Sequence, residues 1–163
     1  MKTKNLNSYV ATYKELLQEG DIQIAYAELV KYVQKLKSSF SKEFSGEYSV
    51  GNVFQGYMDY TYFYLSSDYL KGRSLKLGVV LNHTEVKFEI WLLGQTKDVQ
   101  KKYWHLLKNS KWVKGTDIPQ YSIFDATLIE NPNFDDLDKL TDDLKKKVVA
   151  VSNEIVASLK QVD

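Results

Sequence analysis

The hydrophobic rhythm of the chain changes from helical to alternating and back again. From Leu6 to Leu17 the apolar positions Leu6, Tyr9, Val10, Tyr13, Leu16 and Leu17 recur at helical spacing, and Gly20 follows as a natural stop. Asp21 is then a candidate N-cap for a second helix. That helix carries the stripe Ile22, Ala25, Tyr26, Leu29, Val33, Leu36 and Phe40, with lysines on its other side. Two helices joined through Gly20-Asp21 predict an antiparallel hairpin.

After Ser45-Gly46-Glu47 the period falls to two. The run from Val53 to Leu65 predicts a first long strand, rich in aromatics and with Asp59 in its middle. Leu75 to Leu81 predicts a second strand and, past the tight connection Asn82-His83-Thr84, Val86 to Leu93 a third, the three forming an antiparallel meander. On the third strand Val86, Phe88, Ile90 and Leu92 share one face while Lys87, Glu89 and Trp91 share the other, so the helices should cover the apolar side. Thr96 can cap a helix over 97–108, Asn109 to Gln120 reads as a loop, and Tyr121 to Ile129 as a fourth strand. A terminal helix then carries Leu137, Leu140, Leu144, Val148, Val151, Ile155 and Leu159 along one side, its acidic start (Asp135, Asp136, Asp138) and later Lys145-Lys146-Lys147 suiting the helix dipole. The expected architecture is one α+β domain over 1–163. It has an N-terminal helical hairpin, an antiparallel sheet of three to four strands, a helix after the third strand and a long C-terminal helix.

Composition narrows the chemistry. A chain of 163 residues can bury roughly 70% of its unfolded surface in a single core. Cys is absent, which removes thiolate nucleophiles, Cys-ligated zinc and disulfides and fits a reducing cytoplasm. The opening Met1-Lys2-Thr3-Lys4 is basic but leads into no apolar h-region, and no run approaches the roughly 20 apolar residues of a membrane span. A cytoplasmic protein without membrane association is expected. Lys plus Arg number 22 against 21 Asp plus Glu, so no global field draws the chain to nucleic acid or anionic lipid.

Candidate chemistry concentrates in the aromatic run. Tyr48 to Tyr69 holds six of the twelve Tyr residues together with Phe54 and Phe63. Aromatics are good strand formers, which accounts for most of them. Tyr57, Tyr60 and Tyr62 are the candidates for binding, because a rigid ring offers large contact area with a hydroxyl at its tip. Asp59 is out of character for a strand interior. By parity it lies with Tyr57, Thr61 and Phe63; were that face continuous with Lys87, Glu89 and Trp91, Asp59 and Glu89 could pair as metal ligands or acid and base, Lys87 beside them. The plainer reading is a charged solvent face or a cross-strand pair of Lys87 with Asp59.

Other signals are thinner. Glu85-Val86-Lys87 downstream of Asp59 or Asp68 matches the acid, acid-x-lysine order of metal-dependent nucleases, a triplet that arises readily by chance in so charged a chain. His83 falls in a hairpin connection and His105 on a helix surface, and no HExxH pair, G-x-S-x-G elbow or phosphate-cradling loop is present. Lys97, Lys101, Lys102, Lys108, Lys111 and Lys114 interleave with Tyr103, Trp104 and Trp112 in a pattern that could grip nucleic acid. The balanced charge and helical spacing favour core anchors under a lysine face instead.

The stretches Gly56-Tyr57-Met58-Asp59-Tyr60-Thr61-Tyr62-Phe63, Phe88-Glu89-Ile90-Trp91-Leu92 and Gln100-Lys101-Lys102-Tyr103-Trp104, with Tyr13-Lys14 and Asn131-Pro132-Asn133-Phe134, resemble a family of small uncharacterised bacterial proteins. The resemblance covers nearly the whole chain. It implies a bacterial cytoplasmic origin and carries over no catalytic role.

The leading functional expectation is a non-catalytic binding or interaction module, not an enzyme. It would use Tyr57, Tyr60, Tyr62 and Trp91 on a sheet face for a small molecule or protein, with no cofactor or metal. Exposed apolar sheet surface would also allow a homodimer. The alternative is a metal-dependent, phosphodiesterase-like hydrolase with Asp59 and Glu89 as the carboxylate pair and Lys87 stabilising charge.

Overall fold

A computed structural model describes residues 3–163, so the basic Met1-Lys2 opening lies outside the described residues. Helix α1 (Leu6–Glu19) begins where the Asn5 side chain accepts from the Ser8 amide at 3.0 Å, an N-cap, and ends at Gly20, whose φ of 86° is the left-handed geometry glycine tolerates. Helix α2 (Asp21–Glu43) starts directly from that glycine, with no side-chain cap. The expectation that Asp21 caps it is therefore corrected. Gly20 holds the cap position, and Asp21 lies in the first turn, where the helix dipole favours an acid.

The stripe on α1 also behaves differently from that on α2. Val30, Tyr32, Val33, Leu36 and Phe40 of α2 are buried, whereas α1 buries none of its residues. The buried part of α2 begins only at Val30, and α1 joins at the other end of that helix, away from the sheet.

Five strands, β1 (Ser49–Val50), β2 (Tyr60–Ser66), β3 (Leu75–Asn82), β4 (Lys87–Gly94) and β5 (Phe124–Ile129), form one sheet in that order, each neighbouring pair antiparallel. The count exceeds the expected three to four because two-residue β1 is too short to show periodicity. A short helix, α3 (Asp68–Lys71), occupies the expected β2–β3 loop, α4 (Lys97–Leu107) follows β4 under the predicted Thr96 cap, and α5 (Leu137–Val162) closes the chain.

The largest correction concerns the aromatic run. It is not one strand from Val53 to Leu65, because β2 begins at Tyr60 and the preceding residues fold back until Phe54 bridges Tyr62. Gly56 (φ 74°) and Met58 (φ 62°) both adopt left-handed backbone, which breaks the regular extended geometry of a strand. Asp59 is consequently an exposed turn residue rather than a carboxylate within a strand.

Alternation then sorts the sheet. Thr61, Phe63 and Leu65 of β2 point with Leu77, Val79 and Leu81 of β3 and Phe88, Ile90 and Leu92 of β4 into the core, where the buried apolar residues of α2, α4 and α5 gather. Phe40 meets Phe63 with ring centres 5.6 Å apart, and Tyr32 meets Phe88 edge-on at 6.1 Å. Tyr103 and Trp112 of the lysine-rich segment are buried, Trp112 stacking on Phe124, while Lys111 lies over the Trp112 ring and pairs with Glu154 at 2.6 Å. Among the described residues no helix is long and apolar enough to cross a membrane.

Candidate functional site

The sheet's second face holds the chemistry. Register places Tyr60, Tyr62 and Tyr64 of β2 beside Asn82, Val80 and Gly78 of β3, and these beside Lys87, Glu89 and Trp91 of β4. Because side chains alternate, the tyrosines and Trp91 necessarily share a face opposite the core. They line a pocket of about 430 Å³, within the range of small-molecule sites. Phe54, Tyr57 and Asp59 form one wall, Tyr121 closes another, and Gly78, Val80 and Leu93 form the floor.

Gly78 gives the floor its depth. It lies between Tyr64 and Trp91 across the strands, so a missing side chain at this point leaves space that both rings border. A Cβ there would meet Leu93 Cδ1 at 3.3 Å and Trp91 Cβ at 3.8 Å.

The rings support one another. Tyr62 stacks on Phe54 at 5.2 Å and 22°, Tyr60 meets Trp91 edge-on at 4.9 Å and 69°, and Tyr64 tilts against Tyr62 at 5.4 Å and 54°. Lys76 Nζ sits 3.8 Å above the Tyr64 ring. Burial pushes the Tyr64 hydroxyl up to about 12 and lowers the Lys76 ammonium from its ordinary value.

The wall from Gln55 to Asp59 is latched from three sides. Asp59 Oδ1 accepts from the Tyr57 amide at 2.9 Å and the Tyr60 amide at 2.7 Å, bonds that hold its carboxyl below the usual carboxylate range. The His83 amide donates to the Asp59 carbonyl at 2.9 Å. The Thr61 hydroxyl donates to the Gln55 carbonyl at 2.8 Å and lies 2.7 Å from His83 Nε2. Since that hydroxyl's single proton goes to Gln55, His83 must donate from Nε2 to Thr61, which fixes its tautomer. Burial lowers the His83 pKa, partly offset by Asp59. The Tyr26 hydroxyl of α2 donates to the Gln55 and Gly56 carbonyls at 3.4 and 3.3 Å. Within this latched turn the Tyr57 ring stands almost free, 97% exposed at the mouth.

Glu89 is 4% exposed and its oxygens are engaged. Oε2 accepts from the Trp91 indole at 2.8 Å, and Oε1 lies 3.3 Å from both Asn82 Nδ2 and Lys87 Nζ. Lys87 also pairs with Glu85 at 2.7 Å, and that bond, with Glu89 behind it, raises the ammonium above its usual value. Glu89 thus orients Trp91 on the sheet, while Asp59 orders its own turn. The parity that aligned Asp59 with Thr61 and Phe63 does not hold: those two enter the core and Asp59 faces the pocket. Asp125, opposite Trp91 on β5, has its pKa raised by partial burial first and by Glu89 next.

Of the residues picked from sequence, Tyr57, Tyr60, Tyr62, Trp91 and Asp59 all line this pocket, whereas Lys87 and Glu89 lie beside it on the same sheet face. Phe54, Tyr64, Gly78 and Tyr121 were missed. Tyr64 continues the two-residue spacing of Tyr60 and Tyr62, and a lone glycine inside a strand pattern marks a close approach or a gap. Nothing in the sequence pointed to Tyr121.

Fold and site together define a small α+β protein with an aromatic pocket on the face of an antiparallel sheet opposite its core. The chain belongs to the family described as Domain of unknown function (DUF7000), whose model matches residues 6–159. No curated protein and no solved structure matches it.

Proposed function

We propose that the protein is a non-catalytic binding module that takes a small organic ligand in the aromatic pocket. The observation that carries this reading is one cavity of about 430 Å³ lined by Phe54, Tyr57, Tyr60, Tyr62, Tyr64, Trp91 and Tyr121. Rings with few rotatable bonds lose little entropy when they close on a ligand. A concave site favours a small molecule over a protein partner, which would need a broader surface. Glu89 has a positioning role, occupied by Trp91, Asn82 and Lys87, and Oδ1 of Asp59 is taken by two amides. We assign this binding to a bacterial cytoplasm, a compartment that the cysteine-free sequence fits.

A fragment screen read on the Trp91 indole N–H resonance, with Gly78→Val as the filled-pocket control, tests the proposal. The added branches project between Tyr64 and Trp91, and the nearest neighbour is the movable tip of Leu93, so the strand should accept valine. Hits should bind the native protein and be lost from Gly78→Val, with Tm changed by no more than about 4 °C. Hits that bind both proteins equally, or a screen without hits at Trp91, would defeat the reading.

A further inference from the structure

The arrangement of rings and charges in the pocket narrows the ligand class, an inference that rests on the binding reading above. We infer that the pocket takes a small alkylated ammonium, its charge held against the rings of Tyr60, Tyr62 and Trp91 and balanced by Asp59 at the rim.

The first argument is shape. A flat ligand needs two nearly parallel rings with a slot between them, but the one near-parallel pair, Phe54 and Tyr62, is already closed at 5.2 Å. The remaining rings stand at steep angles, 69° for Tyr60 with Trp91 and 54° for Tyr62 with Tyr64. Such a set encloses a rounded group on several sides, the form in which aromatic faces attract a quaternary ammonium.

The second argument is charge. Asp59 lines the pocket, forms no ion pair among the described residues, and accepts both its hydrogen bonds on Oδ1, leaving Oδ2 for a ligand. After burial, the influences that most raise the pKa of the Tyr60 hydroxyl are Glu89, Asp59, Asp125 and Glu85, all acids. The bases nearby are committed: Lys87 to Glu85 and Glu89, and Lys76 to the Tyr64 ring.

The third argument is hydrogen bonding. A bare ammonium needs three acceptors to leave water, and apart from Asp59 the lining side chains offer only tyrosine hydroxyls, weaker acceptors than a carboxylate. Alkylation removes the donors and leaves a diffuse charge that rings can solvate.

Calorimetric titration of the full chain with choline and with its neutral isostere, in which carbon replaces the quaternary nitrogen, tests the inference. Choline should bind at least about tenfold more tightly. Asp59→Asn, which keeps an Oδ1 acceptor for the turn, should weaken choline severalfold and leave the isostere unchanged, and Gly78→Val should abolish binding of both. Equal affinity for choline and the isostere, lost in Gly78→Val, would overturn the cation while leaving the pocket reading intact. So would binding of neutral indole, lost in Gly78→Val, by a protein that ignores choline. A protein that binds none of the three probes would overturn both.

Discussion

Replacing Gly56 with alanine should break the pocket wall, and its cost can be worked from the backbone. At φ 74° an L-residue pays on the order of 1 kcal/mol for the left-handed region. The new Cβ would also fall 2.1 Å from the Tyr60 carbonyl oxygen and 2.7 Å from Asp59 Oδ1. The first is a backbone atom that no rotamer change can move aside, so the turn from Gln55 to Asp59 must shift. Its bonds to Asp59 Oδ1, and those from His83 and Thr61, then weaken or open. At about 1 kcal/mol each, discounted for the solvent around the turn, the total is about 2–4 kcal/mol. For a chain of this length that lowers Tm by roughly 5–15 °C. Gly20→Ala is the matched control, because Gly20 has a similar φ of 86° but nothing within 4 Å of its Cβ. It should lose only the conformational term, about 2–4 °C. Thermal melts of both variants, with amide spectra to locate the change, decide the matter. Equal losses would refute the claim that the close approach to Tyr60 builds this wall.

Two further outcomes follow from the division of the sheet into faces and from the turn. Phe63→Ala should cost about 3–5 kcal/mol in urea unfolding, since the ring is fully buried against Phe40, whereas Tyr62→Ala on the opposite face should cost no more than about 2 kcal/mol; similar losses would mean the faces are misassigned. Asp59 has a depressed pKa in the folded state, so its contribution is fully present above the unfolded value of about 3.9 and is lost as pH falls through the lower folded value. The Tyr57 and Tyr60 amide resonances should therefore move together in acid and stay still in Asp59→Asn, and unchanged acid behaviour in that variant would rule out the carboxylate as the turn's clasp.

Helices α2, α4 and α5 and the three central strands were legible because each buries one face against the same core. The third predicted strand illustrates this: Phe88, Ile90 and Leu92 alternate and are all buried, whereas Val86, expected on the same face, lies in the turn before β4 at φ 50° and is exposed. Where burial does not repeat, the pattern fails. Strand β1 is two residues long, α3 only four, and the stripe on α1 has the right spacing without a surface to cover. Spacing reports which side of a helix is apolar and says nothing of whether anything lies beneath it.

The candidate pocket was legible in its residue types and misread in its backbone, for one physical reason. From Val53 to Leu65 aromatic density suggests a continuous strand, and Asp59 then looks like an anomaly buried in it. The strand actually yields at Gly56 and Met58, and Asp59 is the residue suited to a turn, accepting the amides on either side of it. Asp59 Oδ1 is satisfied within the turn, and the fold-back it secures carries Phe54 onto Tyr62 and Tyr57 to the mouth. This connects stability to binding. The rings of the open face are already packed on one another, Tyr60 on Trp91, Trp91 held through its indole by Glu89, and Tyr62 on Phe54. On the proposed binding reading, a ligand entering the pocket would need to order little beyond Tyr57, and most of the contact energy of the remaining rings would go into affinity rather than into organising the site.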